Sequence, residues 1–212
     1  MATVTPTEAN PGPEATPAPT PSQTFPPHRL TVGRYRRMVE AGVFSEDEPV
    51  FLWRGRLVEK MTKGDPHAFA VVSLNELLVR LIPAAWHVRP EQPIAIVDSG
   101  LPEPDLTVVR GRPVDYKGKT PSAGDVALIV EVSASSLAVD SGDVLASYAG
   151  EGIPVYWIVD ILGRKVEVYG GPIGPADSPR YRECRRYAPG ERVPVVLDGR
   201  EVGAVAVDDF LP

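Results

Sequence analysis

The chain has 212 residues, 43% of them hydrophobic and 24% charged, a globular composition that excludes wholesale disorder. A single cysteine, Cys184, excludes an internal disulfide and a cysteine-built zinc site, and His28, His67 and His87 lack the spacing of a histidine-built one. A net charge of −6 argues against a sequence-blind nucleic-acid coat, no apolar run approaches the roughly 18 residues that span a bilayer, and without a basic-then-apolar leader a cytoplasmic location is expected.

Residues 1–27 hold eight of the 24 prolines and no lysine or arginine. With almost nothing apolar to bury against the entropy of ordering, residues 1–28 read as a disordered tail, solvated or serving as a proline-rich ligand, and 29–212 as one domain. Thr31 precedes a short helix with Val32, Tyr35, Met38 and Val39 on one side and Gly42 as its stop. Two short runs around Arg54-Gly55 (residues 50–61) form a β-hairpin. Asp65 caps, and Pro66 starts, a helix whose Phe69, Val72, Leu74, Leu77, Leu78 and Leu81 make one buried stripe. Strands follow at 86–89, 93–97, 105–109 and 125–132, then a helix over 137–150. Strands at 154–160 and 165–170 come next, and YRECRRYA, RVPVVLDG and EVGAVAVDDF read as strands of a C-terminal extension. The order describes an α/β domain with a mixed central sheet flanked by helices.

Chemistry concentrates in ALIVEVSASS. The apolar run marks a strand buried on both faces, yet Glu131 sits inside it. An ionised carboxylate there must be neutral, paired or bound to a cation, because burying it alone costs several kcal/mol. If strand 105–109 pairs antiparallel with 125–132, Asp105 lies beside Glu131, and two adjacent carboxylates repel unless a divalent cation joins them. Oxygen ligands of this kind suit Mg2+ or Mn2+. The plainer alternative pairs Glu131 with Arg89 or Arg110 and leaves Asp105 capping a turn.

Asp105 in EPD, Glu131 in VEVSASSLA, YAGEGIPVYWIVD (148–160) and KVEVYG together resemble the Uma-two family of restriction-endonuclease-like proteins, in the PD-(D/E)XK nuclease superfamily. The resemblance runs from RLTVGRYRRMVEAG (29–42) to VAVDDFLP. It implies a restriction-endonuclease-like sheet and a metal-dependent DNA endonuclease, with Asp105, Glu131 and the Val132 carbonyl as Mg2+ or Mn2+ ligands. DNA is then the partner, and a homodimer would supply two sites for two strands. Two departures stand out. The superfamily lysine two residues after the glutamate is Ser133 here, and the family's alternative lysine in a D-R-G-x-K pattern is Val144, with Ser141 in place of its arginine. The glutamate of the family's E-L-x-x-G motif is Phe51. Lys60 and Lys63 are the candidate substitutes, and His67 is a candidate phosphate contact, although a histidine opening a helix is more often a surface residue. Glu59 faces either the site or solvent. If no substitute serves, the chain is a degenerate nuclease fold acting as a nucleic-acid-binding or protein-interaction module. Trp53, Trp86 and Trp157 read as core or interface. Cys184 reads as a half-buried strand residue rather than a nucleophile. The arginines and lysines at 34–37, 54–63, 110–119 and 180–186 form either a local phosphate-binding surface or ordinary solvated faces.

Overall fold

A computed structural model of the chain describes residues 27–212, apart from 46–47, 61–62, 97–99 and 176. The expected disordered tail therefore lies almost wholly outside the described residues.

Helix α1 (Val32–Glu40) is capped by the Thr31 hydroxyl, which accepts from the Arg34 N–H. It buries none of its residues, and Val39 is half exposed. The helix is held by tethers instead. The Leu30 N–H donates to the Gly55 carbonyl, the Tyr35 hydroxyl donates to the Val50 carbonyl, and the Tyr35 and Phe44 rings pack together. The hairpin of β1 (Val50–Trp53) and β2 (Arg56–Glu59) turns through Arg54 and Gly55, both at positive φ, the backbone of a two-residue turn matched to strand twist.

Helix α2 (Asp65–Leu81) starts one residue earlier than its cap signal suggested. Gly64 is the N-cap, Asp65 lies in the first turn and Pro66 follows it. Its buried face is His67, Ala70, Val71, Leu74 and Leu78, while Phe69 and Val72 are 50% and 67% exposed. The expected stripe is thus rotated. The positions i, i+3, i+4, i+7 and i+11 counted from His67 share one side of a helix. That side is fixed by the histidine reaching inward at one end and by close packing through Ala70, so Phe69 and Val72 face solvent.

Six strands form the central sheet in the order β3 (Trp86–Pro90), β4 (Leu106–Arg110), β5 (Val126–Ser133), β6 (Val155–Asp160), β7 (Lys165–Ile173), β8 (Arg180–Tyr187). Only β5 and β6 pair parallel; every other neighbouring pair is antiparallel. The β5–β6 crossover is helical, as a parallel connection requires. It comprises α3 (Leu137–Val139), a π-helical turn (Asp140–Val144) and α4 (Leu145–Gly150). Residues 93–96 make no strand, and Val97 lies outside the described residues. Ala95 and Ile96 form isolated bridges, the Ile96 N–H donating to the Gly100 carbonyl.

YRECRRYA is not part of an extension. It is β8, the edge of the main sheet, and only β9 (Arg192–Leu197) and β10 (Arg200–Ala206) form a separate ribbon. As an edge strand β8 buries just Tyr181 and Tyr187, so Cys184 is exposed rather than half-buried. Alternation along β5 sends Leu128, Val130 and Val132 into a core with α2 and the β9–β10 ribbon, and Ile129 into a second core with α4. Trp157 is fully buried in the first core, Trp53 packs edge-on against Tyr148, and Trp86 lies under the Arg110 guanidinium.

Candidate active site

The β4–β5 register pairs Leu106 with Val130, which sets the preceding Asp105 opposite Glu131. The backbone N–H of Asp105 donates to Glu131 Oε2 at 3.3 Å, and the N–H of Val132 donates to Asp105 Oδ2 at 2.7 Å. The two carboxylates are therefore locked to each other's strands by main-chain donors. Two side chains arrive from the start of α2: Lys63 Nζ at 2.8 Å from Asp105 Oδ1, and His67 Nε2 donating to Asp105 Oδ2 at 3.1 Å. Lys63 also bonds Glu91 Oε1 at 2.5 Å. From α4, the Tyr148 hydroxyl donates to Glu131 Oε1 at 2.9 Å.

Lys63, His67, Asp105 and Glu131 thus come together. Lys60 does not join them; it pairs with Glu103. His67 is buried rather than on the surface, with its Nδ1 unpartnered among the described residues. Neither arginine reaches Glu131. Arg110 is taken up by Asp198 through two bonds of 2.6 and 2.8 Å, and Arg89 lies in β3 with a buried, unpartnered Nε. Glu59 is exposed at the end of β2 and makes none of these contacts. Of the positions where the resemblance led to the expectation of polar groups, Phe51 is half-buried in β1 and Val144 is packed in the second core.

Ser133, at the position where the sequence resemblance led to the expectation of a lysine, is fully buried and donates to Asp140 Oδ2 at 2.5 Å, as does Ser136. Asp140 is itself buried, in the π-helical turn, its carbonyl accepting from Tyr156 at 3.1 Å. Sequence reasoning missed Tyr148, Glu91 and Asp140 as parts of the site. Tyr148 stands inside a motif that carries the resemblance and Asp140 opens the stretch aligned with D-R-G-x-K, but their contacts depend on how the crossover helix is seated. Glu91 gives no local signal at all.

The electrostatics divide the two acids. Burial pushes the Asp105 carboxyl up, but the His67 bond, the Lys63 ammonium and the Val132 N–H outweigh it, and the group stays below its ordinary value. Lys63 is lowered by burial and raised more by Asp105 and Glu91, so it holds its proton more tightly than a free lysine. Glu131 goes the other way. Burial, then the charges of Asp105 and Asp140, push it well above the ordinary range, and the donors Tyr148 and Asp105 N–H only partly compensate. Asp140 is likewise raised, by burial first.

The donor set fits a divalent cation in one specific respect. Each carboxylate offers about four lone-pair sites. The bonds above use three on Asp105 and two on Glu131, leaving acceptor capacity on the Lys63-bound oxygen and on both glutamate oxygens. Among the described residues no cluster of three or more His, Cys, Asp or Glu side chains is arranged to hold a metal. Two carboxylates with water and substrate phosphate completing the shell is the habit of Mg2+, which seldom uses an all-protein cage.

The mixed sheet thus sets paired acids where an antiparallel and a parallel strand pairing meet, with a lysine against one of them. The chain belongs to the Uma2 family, described as "Putative restriction endonuclease", whose model matches residues 33–204. Among solved structures it is similar in fold to "a putative nuclease belonging to DUF820" from Anabaena variabilis ATCC 29413. That match has a TM-score of 0.59 and 13% identity, over 86% of this chain and 97% of the other. No curated protein matches it. No helix among the described residues is long and apolar enough to cross a membrane.

Proposed function

We propose that the chain is a divalent-metal-dependent DNA endonuclease in which Asp105, Glu131 and the Val132 carbonyl hold Mg2+ or Mn2+. The observation that carries this reading is the meeting of Asp105 and Glu131 across β4 and β5, with the Lys63 ammonium 2.8 Å from Asp105. A metal bound there polarises a phosphodiester and lowers the pKa of an attacking water. Lys63 supplies, from the loop before α2, the cation that Ser133 and Val144 no longer supply. Its one remaining N–H is free to orient a water or a phosphate oxygen. His67 holds the Asp105 rotamer, and Tyr148 holds that of Glu131. A duplex cut on both strands needs two such sites, which a homodimer provides.

Plasmid nicking tests the reading. With Mg2+ or Mn2+ the wild-type chain is expected to convert supercoiled plasmid to nicked and linear forms. Asp105→Asn, which keeps the shape and removes the charge, is expected to lose at least about a thousandfold in rate, the scale of a lost electrostatic anchor at a reacting centre. The burial of Val144 supports a second reading, a nuclease fold that binds without cutting. Absence of metal-dependent cutting at high enzyme concentration would favour that one and overturn the first.

A further inference from the structure

Charge is unevenly distributed along this acidic chain. Residues 28–63 carry eight lysines and arginines against five carboxylates, whereas 64–212 carry 14 against 21. The positive segment comprises α1 and the hairpin, and α1 is an unusual helix in that it buries nothing. Arg34, Arg36 and Arg37 are all exposed, and among the described residues none of them has an ion-pair partner. Arg34 bonds His28 and Arg36 bonds the Thr120 hydroxyl at 2.9 Å. The helix also stands beside the site-bearing segment. The Tyr35 hydroxyl donates to the Val50 carbonyl in β1 at 3.2 Å, and the Leu101 N–H, four residues before Asp105, donates to the Leu52 carbonyl in the same strand.

We propose that Arg34, Arg36 and Arg37 form a docking track for the phosphate backbone of duplex DNA, laying the duplex beside the Asp105–Glu131 pocket. The proposal deepens the nuclease reading and rests on it for the choice of polyanion. Exposed guanidiniums with no ion-pair partner meet a phosphate without first breaking a salt bridge, and they match phosphate oxygens bidentately. The rest of the surface, carrying the net negative charge, repels DNA and so orients the approach.

The test is binding of a short fluorescent DNA duplex in EDTA, followed by anisotropy from about 50 to about 200 mM salt. The variant Arg34→Gln/Arg36→Gln/Arg37→Gln is expected to bind at least about tenfold more weakly, and its plot of log K against log salt is expected to flatten by about 2–3. Arg180→Gln/Arg182→Gln/Arg185→Gln, on the exposed edge strand, makes the same change in net charge and is expected to bind as wild type does. Both sets of side chains are exposed, and a thermal melt confirms folding. Unchanged affinity and slope in the α1 variant, equal weakening in both variants, or no binding by the wild-type chain overturns the proposal. Hydrolysis of bis(p-nitrophenyl) phosphate separates the two ideas. A chain that docks duplex through α1 but hydrolyses no phosphodiester refutes the nuclease reading alone. A chain that hydrolyses it while the α1 variant binds duplex normally refutes the track alone.

Discussion

Replacing Lys63 by methionine is expected to slow metal-dependent DNA cleavage by about 10²–10⁴, the usual effect of removing a proton-handling or water-positioning group. Lys63 bridges two carboxylates, Glu91 Oε1 at 2.5 Å and Asp105 Oδ1 at 2.8 Å. It is the one lysine held against the paired acids, since Lys60 is spent on Glu103. Methionine keeps the length and apolar stem, so the loss reports the ammonium itself. Arginine at this position restores the charge but not its compact geometry, and partial recovery is expected. Lys60→Met provides the contrast, with a change of less than about threefold expected from an exposed surface pair. Initial nicking rates at saturating metal measure all three. Equal rates for Lys63→Met and wild type would show that the Lys63 ammonium plays no part in cleavage.

Glu131→Gln is expected to make the metal-free protein more stable while abolishing cleavage. Three carboxylates, Glu131, Asp105 and Asp140, act on one another here, and only Asp105 is held by a cation. Glutamine keeps the shape. Its carbonyl accepts from the Asp105 N–H as before, and its amide donates to the Tyr148 hydroxyl oxygen, reversing the direction of that bond while the charge is removed. A gain of about 1–2 kcal/mol at neutral pH follows, since an active site commonly carries destabilising groups for function.

The pH dependence has a definite sign. The folded-state pKa of Glu131 lies above its ordinary value of 4.5. The fold therefore favours the acid form, and that contribution is complete below 4.5 and lost as pH rises through the folded value. The advantage of Glu131→Gln is accordingly expected to be small near pH 4.5 and to grow above it. Thermal melts over that range measure it; a constant difference, or a less stable glutamine variant at neutral pH, would contradict it.

What the sequence disclosed follows from how local each signal was. Glu131 inside ALIVEV and Asp105 at a strand entrance could be placed side by side from strand direction alone, and the register agrees. The hairpin at Arg54-Gly55 and the Thr31 cap needed only neighbouring residues. Where hydrophobicity had to choose a face, it chose poorly. Phe69 and Val72 look like core residues, but α2 is oriented by His67 and Ala70, which carry less apolar surface. The same blindness left His67 on the surface, because its burial depends on a carboxylate 38 positions away. Tyr148 and Glu91 meet the site only through the seating of the crossover and the loop after β3, which no short window contains. β8 read as an extension because its alternating arginines conceal an edge strand of the central sheet.

The central claim is that Asp105 and Glu131 together bind one divalent ion, and manganese titration followed by electron paramagnetic resonance tests it without relying on catalysis. The wild-type chain is expected to remove free Mn2+ signal up to one ion per chain, with binding lost in both Asp105→Asn and Glu131→Gln. Wild-type protein that leaves the free Mn2+ signal untouched, or two variants that bind as the parent does, would contradict it.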